Sequence, residues 1–237
     1  MKALLDFDIY AFRSAASAER DNLNIAISRI EEMIDKTLHE TGADEFSGYL
    51  SGDNNFRYQI YPEYKSNRTQ PKPIYLKEVK DYLIEKYKAE VSDGCEADDL
   101  LGINQDKTGG VATIICGLDK DLLMVPGMHY TFEISGTSSL GKKWTRPMEI
   151  QEVSEWEGLK RFYTQILTGD ATDGIKGAAG IGKVKAEAIL RDCTTEKELF
   201  EAVSDHFSSE EELLMTGQCL WIFRKEGDRW QLPKFEA

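Results

Sequence analysis

Leu167-Thr-Gly-Asp170-Ala-Thr-Asp173-Gly-Ile-Lys-Gly177-Ala-Ala-Gly180-Ile-Gly182-Lys183-Val-Lys185-Ala186 brings two kinds of chemistry into one segment. Two aspartates three residues apart follow an apolar helical stretch (Phe162, Ile166, Leu167). Glycines at 174, 177, 180 and 182 come next, then two lysines and the helical run Ala186-Glu-Ala-Ile-Leu190. Carboxylates spaced this way can hold a divalent cation. A glycine turn between two helices lets backbone N–H groups approach a phosphate, because glycine tolerates φ > 0 and carries no blocking Cβ. An acidic loop ahead of a Gly-capped helix would read much the same. The rest of the chain has to separate the two.

The chain has 237 residues, 41% hydrophobic and 30% charged, which suits one ordinary globular domain or a domain with a small appendage. No apolar run approaches the roughly 20 residues of a membrane helix, and Met1-Lys-Ala-Leu-Leu-Asp6 does not look like a signal peptide, so a cytoplasmic location is expected. Cys95, Cys116, Cys193 and Cys219 are widely spaced, which argues against a zinc site or a disulfide framework. The net charge of −13 runs against the basic footprint of a nucleic-acid-binding protein. Much of that excess is local if Asp6, Asp8, Asp53, Glu96, Asp98, Asp99, Asp119, Asp121, Asp170 and Asp173 serve one site, because bound cations would offset it.

From the start of the chain, Lys2 to Tyr10 reads as a short buried strand delivering Asp6 and Asp8. Ligand sites in open α/β sheets sit at such carboxyl ends. Asp6-Phe-Asp8 has the Asp-x-Asp form of haloacid-dehalogenase-type phosphatases, but Tyr10 stands where that family wants Thr or Val. Apolar positions at 23, 27, 30, 34 and 38 predict a helix packed on the sheet. Glu45 to Asp53 reads as a second strand with an acid at its end. Aromatics then interleave with cations in Phe56-Arg57-Tyr58 and Tyr61-Pro-Glu-Tyr64-Lys65-Ser-Asn67-Arg68, a composition that suits stacking on bases and contact with phosphates. Pro71 and Pro73 precede an amphipathic helix over 75–87. Glu96-Ala-Asp98-Asp99 opens another helix, and helical spacing predicts Glu96 and Asp99 on one face with Asp98 turned aside. Val111 to Gly117 is the clearest buried strand, delivering Asp119-Lys120-Asp121. Residues 130–146 suggest strands in a hairpin-like excursion, Trp156–Leu167 a helix, and Glu196–Leu214 an acid-rich helical region.

Together these motifs resemble the 5′-nuclease family of flap endonucleases and of the 5′-exonuclease domains of bacterial DNA polymerases. The glycine segment is similar to its helix-hairpin-helix (helix-three-turn-helix) element. Tyr-Pro-x-Tyr-Lys-x-Asn-Arg is similar to its phosphate-contacting signature, and Glu-Ala-Asp-Asp-Leu-Leu-Gly to its central metal motif. The motifs run in the family's order from residue 4 to residue 186. The compact size and the tail around Leu220-Trp-Ile-Phe-Arg224 look most like the short exonucleases of tailed bacteriophages.

The resemblance implies an α/β fold with a PIN-like, mostly parallel sheet flanked by helices. Residues 1–165 would form the nuclease core, and residues 166–237 the hairpin element and a C-terminal helical region, in one compact unit. It implies that Asp6, Asp53, Glu96 and Asp98 hold a first metal and that Asp99, Asp119, Asp121, Asp170 and Asp173 hold or orient a second, with Asp8 behind them. Carboxylates without His or Cys favour Mg²⁺ or Mn²⁺, and the resemblance leaves room for a monovalent cation at the hairpin. Tyr64 would stack on a terminal base, Lys65 and Arg68 would contact the scissile phosphate, and Gly177, Gly180, Gly182, Lys183 and Lys185 would grip duplex DNA. The expected partner is DNA bearing a 5′ end, a flap or an RNA primer, met by a monomer. It would be met in the host cytoplasm if the chain is phage-encoded. Three features depart from the family pattern. The stretch between Tyr64 and Glu96 is short for a full helical arch, Val184 stands where a lysine is usual, and the alignment around Asp53 can slip by a residue. Two other readings differ in what they require. A PIN-type ribonuclease needs the acids but not the glycine hairpin or Tyr-Lys-x-Asn-Arg. A non-catalytic hairpin DNA-binding protein would have lost acids from the motifs, and none is lost.

Overall fold

The computed structural model describes residues 1–107, 112–138 and 141–235. The chain opens with β1 (Lys2–Asp6), whose last side chain starts the next element. Asp6 accepts the N–H groups of Asp8 (3.1 Å) and Ile9 (3.3 Å), so α1 (Phe7–Ser17) begins with no intervening loop. Helix α2 (Leu23–Thr41) is capped by Asn22 and stopped by Gly42 at φ 66°. Then come β2 (Glu45–Leu50), the single turn α3 (Arg57–Ile60), α4 (Leu76–Tyr87), β3 (Glu90–Val91) and α5 (Ala97–Asp106). Strand β4 (Thr113–Cys116) follows; Val111, expected at its start, lies outside the described residues.

A six-stranded sheet runs β3-β2-β1-β4-β5-β8, with β5 (Gly127–Thr131) parallel to its neighbour and β8 (Glu149–Val153) antiparallel at the edge. Between them β6 (Ile134–Thr137) and β7 (Lys143–Arg146) form a separate antiparallel pair, the excursion expected over 130–146. The remaining elements are α6 (Glu155–Thr168), a small pair β9 (Gly169–Asp170) and β10 (Ile175–Lys176), α7 (Lys183–Ile189), α8 (Glu196–Ser204) and α9 (Glu210–Leu220). Ser154 and Glu157 close a capping box on α6, as Thr195 and Glu198 do on α8.

Side chains alternate across the sheet, so each central strand feeds two cores. Leu4, Tyr49 and Ile115 pack on one face with Leu101, Phe162, Ile166 and the C-terminal helices. Ala3, Leu5, Leu50, Ile114 and Cys116 pack on the other with α1, α2 and α4. The chain winds from β1 outward to β2 and β3, then crosses to β4 on the far side of β1. That reversal leaves a crevice at the carboxyl ends of β1 and β4, where open α/β sheets place their ligands. No helix among the described residues is long and apolar enough to cross a membrane.

Candidate active site

Asp6 ends β1, and Asp119 follows β4. A Cβ on Gly117 would stand 3.1 Å from the Leu122 side chain and 3.3 Å from the Asp6 Cβ, so the ends of the two strands approach closely there. Burial raises the Asp6 pKa to about 7, helped by Asp8 and Asp119 against the N–H bonds that lower it. Asp98 rises well above the carboxylate range through burial and the charges of Asp6, Asp119 and Glu96. Asp119 reaches solvent, yet the protein around it and the charges of Asp173 and Asp170 raise its pKa against the N–H of Asp121 (2.9 Å). Asp121 is pushed to about 7 by burial, then by Asp119 and Asp170. These acids lie within one another's fields, the condition that a cation relieves.

Glu96 and Asp173 are arranged differently, because cations already sit on them. Lys65 pairs with Glu96 and lies 3.6 Å from Asp173, and Arg68 pairs with Asp173. Burial would raise the Glu96 pKa, but Lys65 and Arg57 outweigh it and hold the carboxyl below its ordinary value. The loop carrying these cations is laced to the hairpin turn. Lys65 N–H donates to the Asp173 carbonyl (2.8 Å), the Tyr61 hydroxyl to that of Gly174 (3.0 Å), and the Asn67 amide to that of Ala171 (2.7 Å). Lys65 is held at φ 55°, a left-handed conformation that costs a lysine energy and persists only where surroundings impose it.

Three expectations change. Glu96, the N-cap of α5 (φ −106°, ψ 169°), meets Asp99 as expected, through its backbone N–H and a shared Arg57 whose Nη1 lies 2.6 Å from Asp99 and 3.9 Å from Glu96. Asp98, expected to turn aside, instead faces Asp6 and Asp119, while Asp99 turns inward. Asp99 is fully buried and holds Arg57 through both oxygens (2.6 and 2.9 Å), so of the two roles expected for it, holding or orienting a metal, the arrangement favours orienting. Tyr64 is only 3% exposed, with its hydroxyl 2.7 Å from Glu96 and 3.1 Å from Asp173, so its ring cannot stack on a base. The exposed ring is Tyr58, 48% accessible and edge-on to Tyr64 at 5.5 Å. Asp53 lies exposed in the loop after β2. Asp8 sits behind Asp6, taking the Ser51 N–H (2.8 Å) and pairing with Lys80. Sequence reading placed Arg57 among the cations suited to phosphates; the structure instead buries it against Asp99, a pairing that no local pattern signals.

The hairpin holds Asp170 and Asp173 on the β9–β10 turn. Gly177 is required there, because a Cβ would stand 2.3 Å from the Gly169 nitrogen. Gly180, at φ 73°, and Gly182 face open space, and Lys183 and Lys185 are exposed beside them.

The family model described as "5′-3′ exonuclease, N-terminal resolvase-like domain" matches residues 3–155. The chain belongs to this 5′-3′ exonuclease family. It is 30% identical over 184 residues to DNA polymerase I of Caldicellulosiruptor bescii, covering 71% of this chain and 21% of that protein. Against flap endonuclease Xni of Shewanella baltica it is 25% identical over 214 residues, covering 86% of this chain and 79% of the relative. Its fold matches that of T5 5′-exonuclease with divalent metal ions (zinc) bound. The TM-score is 0.68 at 16% identity, over 93% of this chain and 89% of the other. The chain thus spans about a fifth of the polymerase it matches.

T5 5′-exonuclease holds divalent metal ions (zinc) in its structure, and the donors in this chain suit a divalent cation. They are carboxylate oxygens without His or Cys, and burial with mutual repulsion raises the pKa values of Asp6, Asp98, Asp119 and Asp121. Among the described residues, no three such side chains converge closely enough to close a coordination shell by themselves.

Proposed function

We propose that the protein is a metal-dependent 5′-3′ exonuclease and structure-specific flap endonuclease, hydrolysing phosphodiester bonds of DNA at or near a 5′ end. The observation that carries this reading is the meeting of Asp6, Asp98 and Asp119 at the sheet's switch point with Lys65, Arg68 and Asp173 of the loop–hairpin pair. Asp6, Glu96 and Asp98 would hold one divalent ion, and Asp119, Asp121, Asp170 and Asp173 a second, with Mg²⁺ or Mn²⁺ favoured by the oxygen donors. Such ions activate water and stabilise the leaving oxygen when bound. The chain's own part is positioning. Lys65 and Arg68 fix the reacting phosphate, Tyr64 orients Glu96 and Asp173, and the hairpin glycines with Lys183 and Lys185 hold the duplex at a distance. Removal of primers or displaced strands during phage DNA replication, by a monomer in the host cytoplasm, is the setting this activity fits.

Digestion of 5′- and 3′-labelled duplex, flap and RNA–DNA substrates, with and without Mg²⁺, tests the reading. Release of 5′ nucleotides or intact 5′ flaps only with metal is expected. Metal-independent cutting, or release from 3′ ends, would overturn it. Asp119→Asn is expected to lower cleavage by several orders of magnitude while DNA binding persists, because the metal acts on the transition state. Cleavage within a few-fold of wild type would remove Asp119 from the site.

A further inference from the structure

Arg57 is 3% exposed and spends its guanidinium entirely inside the protein. Its Nη1 and Nη2 donate to the two oxygens of Asp99, Nη2 also donates to the Trp221 carbonyl (2.7 Å), and Nε donates to the Cys219 carbonyl (2.9 Å). Asp99 completes its own set with the backbone N–H groups of Glu96 (2.9 Å) and Phe223 (3.1 Å). Phe56 lies 4.7 Å from the guanidinium carbon and stacks on Phe223 at 5.3 Å. The C-terminal segment also lies directly on α5, since a Cβ on Gly102 would meet the Phe223 carbonyl at 2.3 Å.

Three distant parts of the chain therefore meet on one desolvated ion pair: the start of α3, the first turn of α5 and residues 219–223. A buried pair gains little net stability over apolar packing of the same volume, so stability alone gives no reason for it. What the pair does fix is geometry. It pins the backbone at Glu96, and Arg57 Nη1 stands 3.9 Å from the Glu96 carboxylate. We propose that the Arg57–Asp99 clasp is a positioning device for the carboxylates of Glu96 and Asp98, which makes Cys219–Phe223 a working part of the metal site. The proposal rests on the nuclease reading above. Partners that orient metal-holding side chains typically change metal affinity by ten- to a hundredfold when altered.

Arg57→Lys keeps a charge but loses the two-pronged geometry, and Asp99→Asn keeps the shape but loses the charge. Mn²⁺ affinity is read without DNA, from the electron paramagnetic resonance of free Mn²⁺. Single-turnover cleavage of a 5′ flap is read across Mn²⁺ concentrations, and melting temperature is read alongside. Ile34→Ala, in the core on the opposite face of the sheet, serves as a destabilised control. Both clasp variants are expected to bind Mn²⁺ about tenfold or more weakly and to need more metal for cleavage, with rate returning at saturating Mn²⁺. The control should bind as wild type. Clasp variants that melt lower but bind Mn²⁺ as wild type would overturn the proposal, as would loss of fold in both. A wild type that neither binds Mn²⁺ nor cuts would instead sink the nuclease reading, and the proposal with it.

Discussion

A buried tyrosine hydroxyl within reach of two carboxylates suits a different job from an exposed tyrosine ring, and Tyr64 has the first position and Tyr58 the second. Base stacking on an aromatic side chain is worth about 1–3 kcal/mol. Tyr58→Ala is therefore expected to weaken binding of substrates with an unpaired or terminal base by roughly five- to a hundredfold, measured in Ca²⁺ to prevent cutting. Tyr64→Phe should leave affinity within a few-fold and lower the single-turnover rate, because it removes the hydroxyl that orients Glu96 and Asp173. The reverse pattern would return the stacking role to Tyr64. Lys65 belongs with Tyr64. Its strained backbone accompanies an ammonium that pairs with Glu96 and lies 3.6 Å from Asp173, so Lys65→Ala should depress the rate at saturating DNA rather than the affinity.

In the proposed function the glycine hairpin between α6 and α7 works one level up, as a unit that would present backbone and lysines to a duplex. Replacing both Lys183 and Lys185 by Ala is expected to weaken DNA binding and flatten its salt dependence by roughly 0.9 in log–log slope per lost phosphate contact. A pair that changes the saturated rate but leaves affinity and slope alone would contradict that division of labour. At this scale much of the fold is legible in the sequence. Parallel strands buried on both faces are uniformly apolar, so β1 and β4 announce themselves, and an acid after such a run falls at the sheet's carboxyl edge. Side-chain direction at a helix start is not legible in that way. Spacing pairs Glu96 with Asp99 at the N-cap, but it does not show that Asp98 turns to the acids. Nor does sequence spacing show that a tyrosine among cations points inward, or that Arg57 meets a carboxylate and carbonyls far along the chain. Such pairings are set by tertiary packing, which local pattern does not encode.

For the molecule as a whole, the acid cluster ties function to stability. Asp6 and Asp121, with pKa values of about 7 in the fold against about 4 in an unfolded chain, bind more protons when folded. Their penalty therefore grows as pH rises from about 4 to about 7 and levels off above that. His129, buried and lowered to about 4, works in the opposite direction over the acid range, so the two are separated by comparing melts with and without metal. Mg²⁺ should stabilise more at pH 8 than at pH 5.5, since metal and protons compete for the same carboxylates. Melts at the two pH values check this, and an equal gain at both would count against it. Asp173 is paired with Arg68 and Lys65, so its loss should not stabilise the metal-free protein. Asp98, surrounded by like charges, is the sharper probe. The most direct measurement is the melting temperature of wild type and Asp98→Asn, in EDTA and in Mg²⁺ at matched ionic strength, with 5′-flap cleavage followed on the same samples. Asp98→Asn is expected to melt above wild type in EDTA, to gain less from Mg²⁺ and to cut no DNA. If Mg²⁺ shifted neither protein and Asp98→Asn melted below wild type in EDTA, the acids would be structural and the metal-site reading would be contradicted.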